Sequence, residues 1–139
     1  MSMAVVVDAS VLVKWFVIEE GSEEALEIRD KYVSGEVRLI APELLIFEVL
    51  NALYYKRLFS LEEMREVAEA LDAYSFDLYP LKGDYAKKTL EIAYENNVTI
   101  YDASYLSLAL IKGTLMYTAD VKLWEKLKDK YSPYIKVLK

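Results

Sequence analysis

Apolar positions along this chain alternate between short β-type runs and longer stretches with helical spacing. Residues 4–7 read as a buried strand, followed by a helix through Phe16. Ser22-Glu23-Glu24 opens a helix that runs to about Val33, where Ser34-Gly35 stops it. Residues 38–40 form a second short strand, and Pro42 suits the first turn of a helix continuing to Arg57. Ser60 with Glu63 three residues later is a capping-box signal for a helix through Ala73. Residues 76–79 give a third strand closed by Pro80, and 83–97 a helix ended by Asn96-Asn97. Residues 102–112 predict a helix stopped by Gly113, 115–118 a strand, 121–131 a helix and 134–138 a final strand. Strands alternating with helices imply an α/β fold with a mainly parallel sheet covered on both faces. With no Pro/Gly/Ser-rich linker and no internal repeat, residues 1–139 are expected to form one domain.

Composition changes that picture in two ways. Hydrophobic residues make up 55% of the 139 and mean hydropathy is +0.11, yet no apolar run reaches the roughly 18 residues that span a bilayer. The N-terminus has neither a basic n-region nor a small-residue cleavage site, so the expectation is a cytoplasmic protein without membrane association. Cysteine and histidine are both absent. That excludes disulfides, thiolate nucleophiles, Cys/His zinc sites and any histidine general base. Hydrolytic chemistry would have to use carboxylates, hydroxyls, lysines or a metal held by oxygen. The net charge of −6 argues mildly against a nucleic-acid coating protein but not against a nuclease, because acids that bind divalent cations add to it. Abundant Glu, Lys and Tyr, with no Gln or Cys, resemble thermophile composition.

Four carboxylates stand where polar groups are least expected. Asp8 directly follows Val5-Val6-Val7, at the C-terminal end of a strand that should be central in the sheet. Ligands of open α/β folds bind at that edge. Glu48 and Asn51 are the only clearly polar side chains in the stretch 44–55, which reads as an otherwise buried helix. A buried, unpaired carboxylate is costly, and a cation resolves the cost; a bond from Glu48 to Asn51 is the alternative. Asp102 opens an apolar helical run, and Asp120 lies between a strand and a helix. For Asp8, Asp102 and Asp120, helix N-capping is a competing explanation. Asp8 and Asp120 lie just beyond strand ends that share one edge in a parallel sheet, with Asp102 and Glu48 near or on flanking helices, so the acids can converge, and an all-oxygen site suits Mg²⁺ or Mn²⁺.

The ordered blocks Val6-Val7-Asp8-Ala9-Ser10-Val11-Leu12-Val13-Lys14-Trp15, Glu48-Val49-Leu50-Asn51, Tyr101-Asp102-Ala103-Ser104-Tyr105-Leu106-Ser107-Leu108-Ala109 and Thr118-Ala119-Asp120 resemble the PIN-domain ribonucleases. Within them the likeness is to VapC-like toxins of type II toxin–antitoxin systems, and it covers essentially the whole chain. The resemblance implies an α/β/α sandwich with a short, mostly parallel sheet. It also implies Mg²⁺- or Mn²⁺-dependent endoribonuclease activity, leaving 5′-phosphate and 3′-hydroxyl ends. Asp8, Glu48, Asp102 and Asp120 would be the catalytic, metal-binding quartet, supported by Ser10, Asn51 and Thr118. Lys14 would touch the RNA; Lys56, Arg57, Lys112 and Lys122 are weaker candidates. The run from Lys122 to Lys130, interspersed with acids, reads as a solvated helix face. RNA, a cognate antitoxin and a second copy of the chain are the expected partners, with Leu58-Phe59 and the apolar faces of the two mid-chain helices as a subunit or antitoxin interface. Aspartyl phosphoryl transfer fits poorly: a dehalogenase-type phosphatase would need an acid at position 10, which is Ser10. A stand-alone RNA-processing nuclease and a non-catalytic acidic interaction domain remain the alternatives.

Overall fold

The computed structural model describes residues 3–139. Five strands, β1 (Met3–Val7), β2 (Val37–Pro42), β3 (Asp77–Tyr79), β4 (Met116–Thr118) and β5 (Ile135–Val137), form one sheet in the order β3-β2-β1-β4-β5. Every pairing is parallel. The valines of β1 are wholly buried, as a central parallel strand requires.

Seven α-helices connect the strands: α1 (Ala9–Val13), α2 (Ser22–Val33), α3 (Leu45–Lys56), α4 (Leu61–Tyr74), α5 (Gly83–Asn96), α6 (Ile100–Lys112) and α7 (Val121–Tyr131). The chain steps from β1 through β2 to β3 in one direction, then returns past β1 to β4 and β5. Right-handed crossovers therefore place α1–α4 on one face and α5–α7 on the other. The packing agrees: α1 meets α2 and α3, α3 meets α4, and α6 lies against α5 and strands β1, β2 and β4. The α/β/α sandwich is as expected. Its strand order reverses at β1 and β4, and the crevice beyond the C-terminal ends of those strands is where such folds bind ligands.

Local differences from the expected elements have local causes. Pro42 ends β2 instead of opening a helix, and pairs with Tyr79 of β3. The β1 partner reaches only to Ile40, so the missing N–H of Pro42 falls where β2 has no neighbour on one side. The first helix stops at Val13; from Lys14 to Phe16 the amides bond three residues back, tightening the chain into turns. Helix α6 begins at Ile100, earlier than expected, because Thr99 caps it by accepting from the Asp102 N–H at 3.0 Å. Asp102 thus sits in the first turn and is not the cap. The capping box at Ser60 and Glu63 forms in full. Among the described residues no helix is long and apolar enough to cross a membrane.

Helix α3 departs most from expectation. Leu45, Val49 and Leu53 are buried, but Phe47 is 80% exposed, and Asn51, Tyr54 and Tyr55 are exposed as well. Glu48 therefore lies at the border of a buried stripe and an exposed apolar one. It does not interrupt a fully buried helix. Nor does Asn51 supply its partner, which comes from α6.

Candidate active site

Asp8 leaves the end of β1, with its own N–H bonded to the Tyr117 carbonyl of β4 at 3.1 Å. Its backbone has N-cap geometry for α1, yet its side chain makes no capping bond. The carboxylate instead accepts from Ser10 Oγ on Oδ1 at 2.5 Å and from Thr118 Oγ1 on Oδ2. Both hydroxyls are themselves aimed: Ser10 Oγ accepts from the Ala119 N–H at 2.8 Å, and Thr118 Oγ1 from the Asp120 N–H at 3.0 Å. Each hydroxyl must then donate its single hydrogen elsewhere, and Asp8 receives both. This small network locks the β1–α1 corner to the β4–α7 corner.

Asp120 combines two roles, helix cap and site acid, which the sequence leaves compatible. Its Oδ1 caps α7 by accepting from the Leu123 N–H at 3.1 Å, while the residue also lines the cavity in front of Asp8. Glu48 approaches from α3 and accepts on Oε1 from the Tyr105 hydroxyl of α6 at 2.6 Å. Tyr105 was not among the sequence candidates. It lies one helical turn beyond Asp102, and that i, i+3 spacing is the signal that could have found it.

All four carboxylates line one cavity of about 310 Å³, together with Ser10, Asn51 and Tyr105. No lysine or arginine is among its lining residues. Burial pushes Asp8, only 6% exposed, up to about 7, even though Ser10 and Thr118 pull it down; the charge of Asp120 adds to the rise. Burial likewise raises Asp102, with help from Asp120, and raises Glu48, with help from Asp102. The acids thus repel one another in sequence around the cavity, from Asp8 to Asp120 to Asp102 to Glu48.

Among the described residues no group of three or more acids is drawn tightly enough to hold a metal ion as it stands. The donor set nonetheless fits a hard divalent cation of the Mg²⁺ class. Such an ion keeps several waters and needs only one or two protein carboxylates besides substrate oxygens. The cavity is large enough for a hydrated ion, and its donors are all oxygen.

The remaining candidates divide. Thr118 and Ser10 bind Asp8 directly, and Asn51 lines the cavity rim. Lys14 does not line it: the side chain is 13% exposed and paired with Glu19 at 3.1 Å, and Glu19 also binds Lys56 at 3.2 Å. Lys112 stacks over the Tyr79 ring, 4.6 Å from its centroid. Lys122, part of what reads in sequence as a solvated face, borders a groove that shares Asp102 and Asp120 with the cavity.

The chain matches the PIN domain family over residues 5–130. It is 31% identical over 141 residues to ribonuclease VapC3 of Pyrobaculum aerophilum, an alignment covering 94% of this chain and all of that one. Among solved structures, it resembles a Pyrobaculum aerophilum protein of known crystal structure with a TM-score of 0.60 and 25% identity, covering 91% of this chain and 87% of the other. It also shares its fold with a toxin–antitoxin complex from Klebsiella pneumoniae, with a TM-score of 0.65, 15% identity and 96% of each chain covered.

Proposed function

Since the chain belongs to the PIN-domain family, we propose that it is a divalent-metal-dependent endoribonuclease acting as the toxin of a toxin–antitoxin pair in the cytoplasm. One observation carries the catalytic reading. Four carboxylates from the β1 end, α3, α6 and the α7 cap face one cavity whose lining residues include no cationic side chain. Mutually repelling acids, one buried and three half-buried, are costly in isolation, and the cost is relieved by a cation.

Asp8, Asp102 and Asp120, with Glu48, would hold Mg²⁺ or Mn²⁺. When bound, the ion supplies Lewis-acid stabilisation of the phosphate's developing charge and acidifies water. Ser10 and Thr118 keep the Asp8 carboxylate in one orientation through their two hydroxyl bonds. Glu48 is steadied by Tyr105. Glu48 or Asp102 would take a proton from the attacking water. In-line attack with loss of the 3′-oxygen would leave 5′-phosphate and 3′-hydroxyl ends.

The antitoxin assignment rests on the relatives and on a second surface. An apolar groove of about 870 Å³, lined by Phe47, Leu50, Tyr54, Met64 and Tyr101, adjoins the carboxylate cavity through Glu48 and Asn51, which border both. An apolar segment seated there would stand over the cavity mouth. Pairing of two copies is assigned to other exposed apolar positions, such as Leu90 and Tyr94 of α5. Light scattering of a Tyr94→Glu variant tests that assignment, with a shift to monomer expected.

The catalytic reading is tested by incubating wild type and Asp8→Asn with structured RNAs and Mn²⁺, and by titrating Mn²⁺ calorimetrically. Metal-dependent cleavage by wild type alone is the expected result. Wild-type-level cleavage by Asp8→Asn would overturn the assignment. Absence of metal binding and of a metal-induced thermal shift in wild type would favour a non-catalytic acidic domain.

A further inference from the structure

A groove of about 410 Å³ runs between residues 97–99 and the first two turns of α7. Asp102 and Asp120 line it and also line the carboxylate cavity, so the two spaces adjoin. Lys122 and Lys126, four residues apart on α7, line the groove. We propose that this groove is a second phosphate subsite, in which Lys122 and Lys126 hold an RNA backbone phosphate next to the one at the carboxylates. The inference rests on the nuclease reading above and extends it to the path of the strand.

Three features support it. First, the carboxylate cavity has no cation among its lining residues, and the chain carries a net charge of −6, so a polyanion needs local positive charge beside the acids. Second, these two lysines form no ion pair among the described residues. Lys128 of the same helix is paired with Glu125 at 2.7 Å, and Lys14 and Lys56 both bind Glu19. Third, Lys126 is positioned: its Nζ donates to the carbonyl of Asn97 at 3.2 Å. Asn97 caps the end of α5 in a left-handed conformation (φ 53°), which sets the groove's outer lip. One carbonyl bond leaves other Nζ hydrogens of Lys126 free for phosphate oxygens.

The test is a Lys122→Ala/Lys126→Ala variant compared with wild type, with Lys128→Ala/Lys130→Ala as a control of equal charge change. An unstructured oligoribonucleotide is titrated by fluorescence anisotropy without metal across a salt series, and KM and kcat are measured with Mn²⁺. The double variant at 122 and 126 should bind roughly tenfold more weakly whatever the RNA sequence. Its slope of log affinity against log salt should be shallower by about 0.7 for each phosphate that is no longer neutralised. The kinetic loss should fall on KM more than on kcat, and Lys122→Arg/Lys126→Arg should restore it. A wild-type slope and KM in the alanine variant, while wild type still cleaves RNA, overturn the subsite alone. An equal effect from the control pair does the same, because it reports only net charge. Failure of wild type to bind or cleave any RNA removes the nuclease reading and the subsite together.

Discussion

Asp8 and Glu48 line the same cavity and are held in different ways. The Asp8 wall is built from the sheet. Its backbone is hydrogen-bonded to β4, its two oxygens take hydroxyl bonds from Ser10 and Thr118, and the carboxylate is buried. The Glu48 wall is built from helices on two faces of the sandwich, α3 and α6, that touch here through one bond from Tyr105. A strand end inherits its position from the ladder, whereas a helix can shift against its neighbour at modest cost. The sheet wall is thus held by more hydrogen bonds than the helix wall, and it is expected to be the more rigid half of the site.

The largest effect expected of this contrast is on catalysis at the sheet wall. Asp8→Asn should lower kcat by about a thousandfold or more while leaving the far-ultraviolet circular dichroism unchanged. Thr118→Val comes next: it keeps the shape but withdraws one donor from Asp8 and the acceptor of the Asp120 N–H. Loss of roughly 10- to 100-fold in metal affinity, read by calorimetry, is expected for a residue that orients a ligand. Its denaturation midpoint should report a cost of about 1–3 kcal/mol from the under-satisfied buried groups.

A pH experiment sharpens the contrast without RNA. Folding raises Asp8 from 3.8 to about 7, so the folded chain holds this proton more tightly than the unfolded one. The associated stability is fully present below about pH 3.8 and is lost as pH rises through 7. Metal-free protein should accordingly lose up to a few kcal/mol from this group across that window. Asp8→Asn should lack this component, and adding Mg²⁺ or Mn²⁺ to wild type near pH 7.5 should recover it. Urea melts at a series of pH values in chelator measure the effect; a wild-type dependence identical to that of Asp8→Asn would show that Asp8 is not the group.

Tyr105→Phe should give the smallest change. It removes a single bond at the helix wall, for about 1 kcal/mol of stability and a few-fold loss of activity. If Tyr105→Phe proved as damaging as Thr118→Val, the two walls would be equally rigid and the contrast would fail.

The uneven legibility of the site follows the same division. Asp8 and Asp120 could be read from the chain because both follow apolar strand runs, and in a parallel sheet every strand end points to one edge. Ser10 and Thr118 were legible only through the family resemblance, since nothing in the chain itself says that their hydroxyls turn to Asp8. Glu48 stood out partly for a wrong reason: α3 is buried on one stripe only, and an apolar run in sequence does not say which of its faces a second helix will cover. Lys122 and Lys126 were not legible as a pair, because a lysine-bearing helix face looks the same whether it meets bulk water or borders a groove.

By itself, then, the sequence determined the alternation of strands and helices, the capping box at Ser60, and the exclusion of histidine and cysteine chemistry. These depend on residue type and short spacing, which any neighbouring structure leaves intact. Tertiary structure alone decided that Tyr105 of one face reaches Glu48 of the other. It also decided that Asp8 turns from its helix to Ser10 and Thr118, and that two lysines border the acids. The longest of these links joins residues 110 positions apart, Asp8 and Thr118. Only the strand order β3-β2-β1-β4-β5, set by which apolar faces pack together, brings them within hydrogen-bonding distance.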